Sequence, residues 1–164
     1  MQLYTLKSQV EKSIDKAKDL KKTIGLVPTM GSLHQGHLSL LKKAVQSCEV
    51  VWVTIFVNPT QFGKNEDFDK YPRTLPEDIA RLEELSVTPD VIFTPQVSEV
   101  YADGIPERLE PRAGAIGSVF EGAARPGHFD GMLHIVSWFF RNAILSGKCS
   151  KLVFVQHLVC NQFS

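Results

Sequence analysis

The sequence predicts an α/β fold, a Rossmann-like, doubly wound and mostly parallel sheet. Three observations carry that prediction. Glu49–Val57 (EVVWVTIFV) is almost continuously apolar and β-branched, the pattern of a strand buried on both faces. Thr23–Pro28 and Asp90–Thr94 are shorter apolar runs that alternate with segments of helical period, which is the order of βαβ units. Ile24–Leu41 (IGLVPTMGSLHQGHLSLL) passes from apolar strand through Gly31 and Gly36 into a helix. Such a strand–turn–helix junction offers unpaired amides and the positive end of a helix dipole to an anion.

The elements follow in order. Leu6, Val10, Ile14, Ala17 and Leu20 recur three and four apart, giving a helix with one apolar face and a solvated, Lys-rich side. Thr23–Pro28 is the first strand, broken at Pro28. His37–Ser47 is the second helix, with Leu38, Leu40, Leu41, Ala44 and Val45 available for packing. Glu49–Val57 is the next strand, and Asn58-Pro59 ends it. Asn58–Arg73 is a long polar loop, followed by a helix over Leu75–Leu85 that tolerates Pro76 in its first turn. Asp90–Thr94 is a third strand. Pro95–Pro111 is turn-rich with room for one edge strand, Ala115–Glu121 is a helical turn, and Gly122–Gly131 is a loop. Met132–Ala143 is a buried helix and Leu152–Val155 a last strand. Trp52, Phe56, Trp138, Phe139 and Phe140 belong to the core by their chemistry.

The 164 residues suit a single domain able to bury its own core. Lysine plus arginine and aspartate plus glutamate are equal at 18 each, so no bulk charge draws the chain to nucleic acid or membrane. The three cysteines form no Cys-x-x-Cys pair, which argues against a disulfide framework and for a reducing compartment. The charged, amphipathic N-terminus does not resemble a secretion signal, and no run reaches a membrane span; a cytoplasmic protein is expected.

Ligands of open parallel sheets bind outside the carboxyl ends of the strands. Three loops leave those ends here: Thr29–His37, Asn58–Arg73 and the turn after Phe93. His34 and His37 stand three apart where loop becomes helix, and Gly36 between them lets a phosphate approach the backbone. Imidazoles placed there can donate to phosphate oxygens and stabilise charge that develops at phosphorus. Two surface histidines, or a two-histidine metal site, are the competing explanations; no nearby carboxylate or cysteine completes a metal site. Gln61 offers a donor and an acceptor to a hydroxy acid, or is a solvent-exposed loop amide. Met30 by itself is core filler. Asp78 is placed on a solvated helix face, with a magnesium-linked role as the weaker alternative. Arg125 and His128 read as a phosphate-binding or dimer-contact pair, or as part of a turn made by Gly127 and Gly131.

His-x-Gly-His after a first strand resembles the HIGH-type motif of the nucleotidyltransferase superfamily, which includes class I aminoacyl-tRNA synthetases and adenylyltransferases. The longer string VPTMGSLHQGH, followed in order by VNPTQF, YPRT, EDIARLEE and EGAARPGHFDG, resembles the pantoate–β-alanine ligase family from about Ile24 to about Ser137. The resemblance implies condensation of pantoate with ATP, accompanied by magnesium, to an enzyme-bound pantoyl adenylate and pyrophosphate. The β-alanine amine then attacks, giving pantothenate and AMP. It implies that Met30, Gly31, Ser32, Leu33, His34, Gln35, Gly36 and His37 contact ATP, with His37 the catalytic residue and His34 beside it. It implies that Gln61, with Asn58 and Met30, borders pantoate and β-alanine, and that the chain forms homodimers.

Beyond Ser137 the family pattern fades. The family's FGxKDxQQ segment supplies a phosphate-binding lysine. Here Phe154 matches its phenylalanine, and Val155, Gln156, His157 and Leu158 replace the residues that follow. Residues 138–164 are therefore expected to be a divergent tail, with no C-terminal lid domain, arising from a frameshift or early stop or from divergence to a short form. Loss of that lysine and of a lid predicts weak ATP binding and little or no ligation. A non-catalytic nucleotide-binding or dimerisation module is the alternative, and a nucleotidyltransferase for another acceptor a third.

Overall fold

The computed structural model describes residues 1–63, 66, 68–85, 88–143 and 152–154, with side chains to 142. Five strands form one sheet: β1 (Gln2–Tyr4), β2 (Ile24–Thr29), β3 (Val50–Ile55), β4 (Val91–Phe93) and β5 (Leu152–Phe154). Their order is β1-β4-β3-β2-β5, and every pairing is parallel. The helices are α1 (Lys7–Asp19), α2 (Gln35–Ser47), α3 (Leu75–Glu83), α4 (Val97–Val100), α5 (Glu121–Ala124) and α6 (His128–Ala143).

The sheet is covered on both faces, as its apolar strands require. Alternation along each strand sends residues to opposite sides. Ile24, Leu26, Trp52, Val91 and Phe93 pack with Val10 and Ile14 of α1 and with Ile135 and Phe139 of α6. Val27, Val51, Val53 and Ile92 pack with Leu38, Leu41 and Ala44 of α2 and with Leu82 of α3. Helices on both faces of a parallel sheet make the fold doubly wound, as expected.

Several boundaries differ from expectation. Strand β1 has no counterpart in the sequence reading; it pairs with β4 at Leu3↔Ile92, a long-range contact that a three-residue run cannot announce. Strand β2 runs through Pro28 rather than breaking there. Its β5 neighbour pairs only Ile24–Leu26, so the missing N–H of Pro28 faces no ladder on that side. Within Pro95–Pro111 the regular element is the short helix α4, in place of the expected edge strand. Helix α6 begins at His128, earlier than Met132. Val155, Gln156, His157 and Leu158 lie outside the described residues.

Candidate active site

A cavity of about 290 Å³ opens at the carboxyl ends of β2 and β3. Thr29, Met30, Gly36 and His37 line it from the first loop, and Phe56 and Gln61 from the second. Arg125, His128, Ile135 and Phe139 close it from the α5–α6 side. Two of the three loops expected at the site therefore meet there. The third, after Phe93, lines a separate cavity of about 330 Å³ together with Met30, Gly31 and Asp78.

The histidine pair is locked by helix capping. His34 is the N-cap of α2, and its Nδ1 accepts the Gly36 N–H at 3.1 Å. The His34 N–H donates in turn to Nδ1 of His37 at 3.3 Å. With both Nδ1 atoms serving as acceptors, both rings carry their proton on Nε2, where it is a donor. The ring centroids lie 4.0 Å apart. The His37 pKa is lowered from 6.5 to about 4, by burial first and by neighbouring His34 second, with Asp78 opposing both. His37 is therefore a neutral hydrogen-bond donor at neutral pH. Gly36 matters for a reason beyond ligand approach: a Cβ there would lie 2.8 Å from Cε1 of His34, so the capping ring needs the space.

The remaining residues of the Met30–His37 stretch divide. Leu33 is buried in the core, whereas Ser32, His34 and Gln35 are exposed. The amides of Ser32, Leu33 and Gly36, expected to be free for phosphate, have acceptors within the chain. Two of them end on Asp78. Expected on a solvated face, Asp78 is 1% exposed and accepts from Ser32 N–H at 2.9 Å and Leu33 N–H at 2.6 Å. It sits in the first turn of α3, and its contacts are forty-odd residues away in sequence, which is why helical periodicity alone misplaces it.

Gln61 is buried, not a solvated loop amide. Asn58 caps the short 3-10 turn Pro59–Gln61 and is 0% exposed. Its Nδ2 donates to Gln61 Oε1 at 3.2 Å and to the Gly131 carbonyl at 3.0 Å. Its Oδ1 accepts from the Tyr101 hydroxyl at 2.7 Å and the Thr60 hydroxyl at 3.0 Å. Asn58 thus spends its hydrogen bonds inside the protein and stands behind Gln61 rather than on the cavity wall. Because Oε1 of Gln61 faces Asn58, the Nε2 amide protons are the part left to meet a ligand.

Arg125 and His128 both border the cavity. His128 Nδ1–H donates to the Gln61 carbonyl at 2.9 Å, and its Nε2 lies 3.3 Å from Arg125 Nη1. Arg125 grips Glu66 through Nε and, at 3.0 Å, through Nη2. The guanidinium holds the Glu66 carboxyl down to about 2, and Glu66 raises the Arg125 pKa above its ordinary range. Among the described residues no group of three or more His, Cys, Asp or Glu side chains is placed to hold a metal ion.

Comparison with known proteins gives the family of the chain. A family model described as pantoate-beta-alanine ligase matches residues 2–148. The chain belongs to the pantoate–β-alanine ligase family. It is 45% identical over 140 residues to pantothenate synthetase of Saccharophagus degradans, covering 85% of this chain and 49% of that protein. It is 48% identical over 140 residues to pantothenate synthetase of Lysinibacillus sphaericus, covering 85% and 48%. Among solved structures, pantoate-beta-alanine ligase from Francisella tularensis, complexed with beta-gamma ATP and beta-alanine, matches with a TM-score of 0.77 and 42% identity. That match covers 87% of this chain and 53% of the other. Pantothenate synthetase from Thermus thermophilus matches with a TM-score of 0.75 and 37% identity, covering 87% and 49%. The ligase-family chain thus spans about half the length of the relatives it matches, and that shared half contains the cavity, the histidine pair and Gln61.

Proposed function

We propose that this chain carries the adenylating site of an ATP-dependent ligase that joins pantoate to β-alanine. One observation carries the reading: His37 and Gln61, from different loops, line the same cavity, and with His37 Nδ1 and Gln61 Oε1 engaged inside the protein their N–H groups remain as donors for a ligand. A pantoate carboxylate oxygen attacks the α-phosphorus of ATP, and the bond to the pyrophosphate oxygen breaks. The β-alanine amine then attacks the acyl carbon; the carbon–oxygen bond breaks, and AMP leaves with that oxygen. The first step gathers negative charge at phosphorus. A neutral, fixed donor such as His37 stabilises that charge without transferring a proton, with His34 beside it as the second histidine of the pair. The Gln61 amide suits the carboxylate or hydroxyl of pantoate, and the apolar floor of Ile135 and Phe139 suits its methyl groups.

ATP is taken to arrive with magnesium, its phosphates directed to Met30, Gly36, His34 and His37. We assign the protein to the cytoplasm; among the described residues no helix is long and apolar enough to cross a membrane. We also propose a homodimer. Ile116, Val119 and Phe120 are exposed in one stretch, and Phe120 is 93% exposed at a positive φ of 50°, which is uncommon for an aromatic residue.

By itself the chain is expected to work slowly, because Val155–Leu158 replaces the family's lysine-bearing segment. Pyrophosphate release with ATP and pantoate tests this. Slow release that needs both substrates and is lost in His37→Ala supports the ligase reading. ATP binding without release supports the non-catalytic module. Turnover of about 1–10³ s⁻¹, ordinary for enzymes, would overturn the claim of reduced activity.

A further inference from the structure

We propose that Asp78, with Arg81 one turn further along α3, is a positioning pair that sets His34 as the cap of α2, and through that cap holds His37 at the cavity, by way of the backbone of Gly31–Leu33. The proposal rests on the reading of His37 as the donor that meets the α-phosphate.

The segment that joins β2 to α2 turns through two successive left-handed residues, Gly31 at φ 88° and Ser32 at φ 52°. Glycine adopts that conformation freely; serine does so only with support from its surroundings. Asp78 supplies the support. Its two carboxylate oxygens take the Ser32 and Leu33 N–H groups separately, at 2.9 and 2.6 Å. The Thr74 hydroxyl adds a third donor at 3.3 Å. From the same helix, Arg81 donates through Nη1 to the Leu33 carbonyl. Helix α3 therefore holds Leu33 by its N–H and its carbonyl at once.

The next residue is His34, which caps α2 and fixes Nδ1 of His37 with its own N–H. An error in the peptide after Leu33 passes directly to the plane of the His37 ring. The fit is also close: a Cβ on Gly31 would lie 3.1 Å from Asp78 Oδ2. A buried carboxylate tolerates this place because donors surround it. An isosteric carboxamide does not serve, since its amino group would meet a backbone N–H. Asp78 does not line the cavity of His37 and Gln61; it acts there through the loop.

Histidine NMR titration of the 164-residue chain separates positioning from other roles. His37 titrates at about 4, with burial and His34 lowering the value and Asp78 raising it. In Asp78→Asn, loss of the negative charge alone would lower the midpoint further. Loss of position would free Nδ1 from the His34 N–H, expose the ring and move the midpoint up toward 6.5. The expected result is a rise of about one pH unit or more with an unchanged far-ultraviolet spectrum. A midpoint that stays or falls overturns the proposal. Should Asp78→Asn not fold, Arg81→Met decides: a rise sustains the positioning role, and an unmoved midpoint overturns it. No nucleotide is present in the titration. Failure of the unsubstituted chain to bind ATP therefore counts against the ligase reading, and a fixed His37 midpoint counts against the positioning pair.

Discussion

His37 is a weak base made weaker by its place. Its imidazole is expected to stay neutral to about 4, so adenylation should not lose a protonated histidine anywhere near neutrality. Between about 4 and 6.5 the unfolded chain binds a proton that the folded chain does not. Stability should fall as pH drops through that window, and chemical-denaturation midpoints measured across it should show this, with the slope reduced in His37→Ala. The same substitution should slow pyrophosphate release by about 10²–10³-fold, the usual effect of removing one preorganised donor. Gln61→Glu, which puts a charge where an amide donor stood, should raise the KM for pantoate more than Gln61→Ala does; equal effects would show that the amide protons do not meet the acid. At this scale the sequence displays His34, His37 and Gln61 because a short spacing and a flanking motif mark them. It does not display Asp78, whose partners are loop amides that only the folded chain brings near.

Elements set these side chains at their places. The 3-10 turn Pro59–Gln61 lies against the start of α6, and Gly131 makes that approach possible. A Cβ on Gly131 would fall 2.1 Å from the Thr60 carbonyl oxygen and 2.8 Å from the Gln61 nitrogen. Gly131→Ala is therefore expected to cost about 1–3 kcal/mol, measured by denaturant unfolding, and to weaken pantoate binding by moving Gln61. An unchanged stability would contradict the packing described here. The central strands β2, β3 and β4 and the helices on their flanks are legible from periodicity, because burial on both faces writes a continuous apolar run. Strand β1 is not, since its partner is the distant β4. The early start of α6 is hidden as well: polar His128 and Asp130 open the helix while facing Gln61 and Ala113 rather than the core.

For the whole molecule, the sheet order puts β2 beside both β3 and β5, so the loops after β2 and β3 open on the cavity that α6 floors. The exposed Ile116, Val119 and Phe120 predict self-association. Sedimentation should show a dimer for the unsubstituted chain and a monomer for Phe120→Glu; a monomer in both cases would refute that assembly. The central claim is that this cavity joins a carboxylate to the α-phosphate of ATP. Pantoate labelled with heavy oxygen in its carboxylate tests it most directly, by mass spectrometry of AMP after incubation with ATP and β-alanine at high protein concentration. One labelled oxygen should appear in AMP, whether amine or water discharges the adenylate. AMP formed without label, or label found in pyrophosphate, would contradict the claim.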